Sequence, residues 1–133
     1  MNISPMKILL VHTDRKERGK LAIMLARFSH CVAFADGMGP QELMPEDYDL
    51  IIVDEYLSDC SGLVFLQNLS STNRAKTIFL SSGGEKEREL CQKSMDIYEC
   101  MKKPIKPMEL AVVACDFFVS CHLNDESLTP LNC

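Results

Sequence analysis

The 133-residue sequence has few glycines and prolines and no long apolar run. Gly and Pro number only six each, which excludes collagen-like and Gly/Pro-rich low-complexity chains. The longest apolar stretch, residues 110–119, is interrupted by Asp116 and is far shorter than the roughly 20 residues that a membrane-spanning helix needs. The N-terminal residues 1–12 contain too short an aliphatic run for a secretory signal. We therefore expect a cytoplasmic protein with no membrane partner.

Positive charge is scarce as well, since 14 Lys and Arg stand against 19 Asp and Glu, a net charge of −5. Such a chain lacks the basic surface that binds nucleic acid, so we expect no direct nucleic-acid partner. The seven cysteines are an odd number without C-x-x-C or zinc-finger spacing, which argues against a disulfide framework and a structural metal site. Reduced thiols are typical of a cytosol.

Aliphatic runs without alternation indicate strands that are buried on both faces of a parallel sheet. Five segments have this character or a shorter version of it: residues 8–11, 31–35, 50–53, 77–80 and 98–101. Helical patterns lie at about residues 14–28, 40–44, 63–69, 85–94 and 107–121. This alternation predicts an α/β fold of the flavodoxin-like kind, a (βα)5 three-layer sandwich with a parallel five-stranded sheet in the order 2-1-3-4-5.

The length corresponds to one domain. We assign residues 6–121 to this domain, residues 1–5 to a leader or disordered segment, and residues 122–133 to a C-terminal tail.

Polar residues follow four of the predicted strands, and the carboxyl ends of parallel strands meet at one edge of the sheet, where ligands bind in this type of fold. The four groups are His12-Thr13-Asp14, Asp54-Glu55, Ser81-Ser82 and Lys103-Pro104. An aspartate, a hydroxyl and a lysine brought together there are suited to phosphoryl chemistry, with the carboxylate as nucleophile and the other two groups stabilising charge on the phosphoryl oxygens.

These residues and their spacing resemble the receiver domain of two-component response regulators over about residues 6–121. The similarity is carried by the run 49–54 that ends in Asp54, by Gly62 eight residues later, and by an apolar run that leads into Ser81-Ser82. It is completed by Lys103-Pro104-Ile105 ahead of Met108-Glu109-Leu110.

The resemblance implies a role for each matching residue. Asp54 would be the phosphoacceptor, Ser81 the hydroxyl residue that senses the phosphoryl group, and Lys103 the lysine that pairs with both. Mg²⁺ would be held by Asp54 and by the backbone carbonyl of Tyr56. The Lys103-Pro104 bond would be cis, and the phosphoryl donor would be a sensor histidine kinase or a histidine phosphotransfer domain.

Three departures from the family pattern bear on this function. His12-Thr13 replaces a pair of acidic residues that help to hold Mg²⁺, an ion that prefers carboxylate oxygens, so we expect Mg²⁺ to be weakly bound or absent. Asp14 is the nearby carboxylate able to compensate, with Thr13 as a weak ligand. Cys100 stands where the family usually carries an aromatic residue, and Glu55 adds negative charge beside a site that must accept an anion.

The last predicted helix has two apolar stripes, one suited to the sheet and a second on roughly the opposite side. The second stripe consists of Met108, Val112, Cys115 and Val119. Receiver domains commonly dimerise or contact effectors near their last helix, so this stripe is a candidate interface for a homodimer or an effector. The alternative is that these are scattered surface residues.

The sequence thus predicts a receiver that accepts a phosphoryl group on Asp54 in a two-component phosphorelay and switches protein contacts. It would be a phosphoacceptor with at most autophosphatase activity rather than a turnover enzyme. The alternative is a degenerate receiver that acts as an interaction or dimerisation module without phosphorylation. A flavin or nucleotide carrier is disfavoured, because no phosphate-cradling loop follows the first strand.

Overall fold

A computed structural model describes residues 6–38 and 44–128, with the backbone alone for residues 122–128. Its strands are β1 (Lys7–Val11), β2 (Cys31–Ala35), β3 (Leu50–Asp54), β4 (Thr77–Ser81) and β5 (Glu99–Lys102). Its α-helices are α1 (Arg15–Arg27), α2 (Gly62–Gln67), α3 (Ser71–Ala75), α4 (Glu85–Met95) and α5 (Pro107–Leu128), and a 3₁₀ turn spans Pro45–Asp47.

The five strands form one parallel sheet in the order β2-β1-β3-β4-β5, which confirms the predicted fold class and strand order. The two faces of the sheet carry separate apolar clusters, because successive side chains of a strand point to opposite faces. In β3, Leu50 and Ile52 belong to the cluster with α1 and α5, whereas Ile51 and Val53 pack with α2. These are the three predicted layers.

Several predicted helix boundaries differ from the structure. The helix predicted at residues 63–69 corresponds to α2. Helix α3 was not predicted; it begins where the Ser70 side chain accepts a hydrogen bond from the backbone N–H of Asn73. The prediction at 40–44 falls mostly on residues 39–43, outside the described residues. Helix α5 continues past the predicted end at residue 121 to Leu128, since no Gly or Pro interrupts residues 108–128.

Helix α5 covers part of the segment 122–133 that was predicted as a C-terminal tail. The predicted leader, residues 1–5, and residues 129–133 lie outside the described part of the chain. Among the residues that are described, no helix is long and apolar enough to span a membrane.

Candidate functional site

A cavity of about 340 Å³ opens at the carboxyl edge of the sheet, where β1, β3 and β5 end. It brings together five of the predicted site residues: Thr13, Asp14, Asp54, Tyr56 and Lys103. His12, Glu17, Pro104 and Ile105 complete its lining. Ser81 is not part of that lining, but its carbonyl oxygen accepts a hydrogen bond of 2.8 Å from the backbone N–H of Lys103.

The ion pair between Asp54 and Lys103 is the centre of the site. Lys103 Nζ lies 2.9 Å from Oδ1 of Asp54, a carboxylate whose side chain is only 4% exposed. The other carboxylate oxygen, Oδ2, accepts a hydrogen bond of 3.1 Å from the backbone N–H of Tyr56. Burial alone would lower the pKa of Lys103, but its contacts with the carboxylates of Asp54 and Glu55 outweigh this effect and raise it. The lysine is therefore a firmly charged partner for an anion.

The loops around this pair are held by short backbone contacts. The Lys103-Pro104 peptide bond is cis, as the resemblance implied. After β3, the chain turns back so that Tyr56 and Ser61 pair in an isolated antiparallel β-bridge. The N–H of Gly62 donates a hydrogen bond of 2.8 Å to the carbonyl oxygen of Glu55. The turn brings Gly62 directly against the backbone of Asp54.

Glu55 is a member of the site that sequence reasoning did not assign. Its Oε2 lies 3.4 Å from Lys103 Nζ and accepts a hydrogen bond of 3.0 Å from the backbone N–H of Ser82. The sequence offered one signal, a second acidic residue directly after Asp54, which we interpreted only as added negative charge. The structure shows that this carboxylate shares the lysine with Asp54.

His12 is buried at the end of β1 beside the same carboxylate, with Nε2 3.6 Å from Oδ1 of Asp54. Its other ring nitrogen, Nδ1, accepts a hydrogen bond of 3.1 Å from the backbone N–H of Asp14. Burial lowers the pKa of His12, although the charge of Asp54 opposes this shift. The neutral ring with its proton on Nε2 satisfies both contacts. A protonated His12 is therefore disfavoured near neutral pH.

The donor groups present do not fit Mg²⁺ in this arrangement. Asp14 uses Oδ1 to cap α1, accepting hydrogen bonds from Lys16 N and Glu17 N. The Thr13 hydroxyl donates to the carbonyl oxygen of Tyr56 at 3.3 Å, the oxygen that the resemblance implied as a ligand. Within residues 6–38 and 44–128, no group of three or more His, Cys, Asp or Glu side chains is placed to hold a metal ion.

Two other predicted features lie on β4 and β5. The Ser81 hydroxyl oxygen accepts a hydrogen bond of 3.0 Å from the N–H of Gly83. Cys100, at the position where the family carries an aromatic residue, is buried under α4, and burial raises its thiol pKa to about 12. It is therefore a small core residue with no tendency to form a thiolate at neutral pH.

The second stripe of α5 lies largely on the surface. Met108, Val112 and Val119 are about half exposed, and Cys115 is partly buried. The neighbouring residues Leu110 and Ala114 are buried against the sheet. The helix therefore presents apolar side chains on two sides, as the spacing predicted.

We expect the free energy of unfolding to decrease as the pH falls from 7.5 to 6. Burial lowers the pKa of both His12 and His30 from the ordinary value of 6.5, and both ring nitrogens of His30 lack a hydrogen-bond partner among the described residues. The unfolded chain then binds protons that the folded chain resists, so each histidine contributes a loss of at most about 1.4 kcal/mol per pH unit. Urea denaturation at both pH values measures this dependence.

His30→Phe serves as the matched variant for this prediction, because His30 is buried and contacts the ring of Phe118 edge-on. Phenylalanine keeps an aromatic ring at this position and removes the titrating group. Its curve should be flatter than that of the wild type between pH 7.5 and 6. Equal slopes for both proteins would contradict the assignment to His30.

Comparison with protein-family models and with curated proteins finds no match. Solved structures do match. The non-phosphorylated receiver domain of HemR from Leptospira biflexa has a TM-score of 0.73 and 22% identity over 86% of this chain and 94% of that chain. A CheY-like receiver domain protein from Methanospirillum hungatei JF-1 has a TM-score of 0.74 and 18% identity over 91% and 99%.

NtrX from Brucella abortus has a TM-score of 0.77 and 22% identity over 92% of this chain, but this chain spans only 29% of NtrX. The three similarities extend over 86% to 92% of this chain. The chain has the fold of a response-regulator receiver domain.

Proposed function

We propose that the chain is a receiver domain that accepts a phosphoryl group on Asp54 and thereby switches its contacts with other proteins. The observation that carries this proposal is the buried carboxylate of Asp54 with the Lys103 ammonium 2.9 Å away at the carboxyl edge of the sheet. A nucleophile beside a fixed positive charge is what transfer of an anionic phosphoryl group requires.

The phosphoryl donor would be a phosphohistidine on a sensor histidine kinase or a phosphotransfer domain in the cytoplasm. A carboxylate oxygen of Asp54 attacks phosphorus, and a P–O bond forms as the P–N bond of the donor breaks. The electron pair of that bond returns to the donor imidazole, which leaves as a neutral ring after proton uptake from solvent. Lys103 balances charge on the phosphoryl oxygens, and attack of water on phosphorus later restores Asp54 and releases inorganic phosphate.

Intact-mass measurement after incubation with acetyl phosphate tests this function, with and without Mg²⁺. We expect the wild type to gain the mass of one phosphoryl group and Asp54→Asn to gain none. Lys103→Ala should be phosphorylated at least about tenfold more slowly, because it removes the fixed positive charge. An unmodified wild type in a large excess of donor would contradict the proposal.

We further propose that Mg²⁺ binds at most weakly. The support is that His12 and Thr13 supply no carboxylate at the end of β1 and that Oδ1 of Asp14 caps a helix. Phosphorylation of the wild type should then depend little on whether Mg²⁺ is present at millimolar concentration.

A second candidate function is an interaction module that works without phosphorylation. It is favoured by the environment of Asp54, where a neutral buried histidine and a second carboxylate stand close to the acceptor. The mass measurement separates the two candidates, since only the first requires a modified Asp54.

In either case the apolar stripe of α5 is the proposed contact surface for a second copy or an effector. We expect Val112→Glu together with Val119→Glu to weaken association, because two charges would be placed among exposed apolar side chains. Sedimentation velocity of the double variant and the wild type, alone and with each candidate partner, measures this effect. Identical association of both proteins in every mixture would exclude this surface.

A further inference from the structure

The Glu55 carboxylate contacts two groups, the Lys103 ammonium and the Ser82 N–H, that an oxygen of a phosphoryl group on Asp54 would need. Its carboxylate oxygen Oε2 accepts a hydrogen bond from the Ser82 N–H at 3.0 Å and lies 3.4 Å from Lys103 Nζ. The same Nζ lies 2.9 Å from Oδ1 of Asp54. A lysine and a backbone N–H directed at one oxygen form an anion-binding position, and in this chain that position is filled by the chain's own carboxylate.

We propose that Glu55 is an internal anion that occupies the phosphoryl-oxygen position of the site and has to be displaced when Asp54 is phosphorylated. This inference rests on the proposed function, since it assigns the step that limits access to Asp54. It also explains how the site stays ion-paired before phosphorylation. Lys103 pairs with two carboxylates at once, and the Ser82 N–H just after β4 has an acceptor.

The position of Glu55 is constrained by its surroundings. Its side chain is only 15% exposed, and its carbonyl oxygen accepts the hydrogen bond from Gly62 that closes the turn after β3. The backbone is therefore held independently of the carboxylate, so side-chain substitutions should leave the turn intact. Glu55→Gln removes the charge and keeps an acceptor for Ser82, whereas Glu55→Ala removes both.

The first measurement is the initial rate of phosphorylation by acetyl phosphate, followed by intact mass. Removing a bound competing anion should raise the rate at least about tenfold in Glu55→Ala and by less in Glu55→Gln. Glu89→Gln is the matched control, because Glu89 is exposed on α4 and its substitution changes the net charge equally. Its rate should equal that of the wild type.

The second measurement does not require phosphorylation. Inorganic phosphate is titrated into Asp54→Asn and into Asp54→Asn/Glu55→Ala, and the Ser82 amide is followed by ¹H–¹⁵N NMR. We expect a saturable shift of this amide in the double variant, with an apparent Kd at least about tenfold lower than in Asp54→Asn. A general disturbance of the fold would move many amides without producing saturable binding of phosphate.

The outcomes distinguish this inference from the proposed function. Equal phosphorylation rates in all Glu55 variants, with equal phosphate binding, would overturn the role of Glu55 and leave Asp54 as acceptor. Phosphate binding that appears only without Glu55, in proteins that are never phosphorylated, would support the internal anion and contradict the proposed function. No phosphorylation of any variant, together with no phosphate binding by either Asp54 variant, would overturn the role of Glu55 and the proposed function alike.

Discussion

Gly62→Ala should destabilise the protein by roughly 3 kcal/mol or more, a large value for the addition of one methyl group. A Cβ at this position would overlap the carbonyl oxygen of Asp54 and would stand 2.6 Å from the Phe79 ring and 2.9 Å from Cα of Glu55. Two of these atoms belong to the backbone that positions the acceptor, so they cannot rotate away. The clash can be relieved only by shifting the end of β3 or the start of α2.

Urea denaturation of Gly62→Ala and Gly19→Ala provides the comparison. Nothing lies within 4 Å of a Cβ added at Gly19, which is inside α1, so alanine there should stabilise the protein by about 0.5–1 kcal/mol through helix propensity. We expect the same Gly-to-Ala change to lower the free energy of unfolding at position 62 and to raise it at position 19. A Gly62→Ala protein with the stability of the wild type would show that the turn has room for a side chain.

The largest effect on ligand binding is expected from His12→Asp combined with Thr13→Asp. These substitutions place two carboxylates at the end of β1, on the cavity that already contains Asp54. Because the affinity of hard cations rises steeply with the number of carboxylate ligands, Mg²⁺ affinity should increase at least about 100-fold. Calorimetric titration with Mg²⁺ measures the gain in the double variant over the wild type.

Two controls define this result. Adding Asp54→Asn to the double variant should remove most of the gained affinity, because it eliminates a shared ligand. Thr13→Asp alone should give a smaller gain, since the neutral imidazole of His12 would remain beside Asp54. Equal Mg²⁺ affinities of the wild type and the double variant would show that something other than the lost acids limits metal binding.

The strands were predictable because burial on both faces requires apolar residues at successive positions of the sequence. The runs at residues 8–11 and 50–53 are apolar at every position since both faces of β1 and β3 are covered. Helix α3 was missed because its residues are mostly polar and its start depends on one side-chain cap, Ser70, which hydrophobic periodicity does not detect. The end of α5 was placed too early, at residue 121, although no helix-breaking residue stands between there and Leu128.

The part of the site that could be predicted is the set of residues at the carboxyl ends of strands. Asp54 and Lys103 meet because parallel strands bring their carboxyl ends to one edge, and that topology follows from the order of elements. The orientation of individual side chains was not predictable. Whether Glu55 points to solvent or to Lys103 depends on the amide of Ser82, just after β4 and distant in sequence. The neutrality of His12 depends on burial in the folded chain.

Because the side chains of β3 alternate between the two apolar clusters, the position and orientation of Asp54 depend on the number of residues in this strand. Each residue advances a strand by about 3.3 Å and reverses the face of every side chain that follows. Deleting one codon within residues 50–53 would withdraw Asp54 from Lys103 by more than their 2.9 Å contact and turn its carboxylate to the other layer. Deleting two codons would restore the face but double the withdrawal. In a library of in-frame deletions, neither the one-codon nor the two-codon deletion in this segment should therefore retain function. Conservative apolar substitutions at the same positions should retain it.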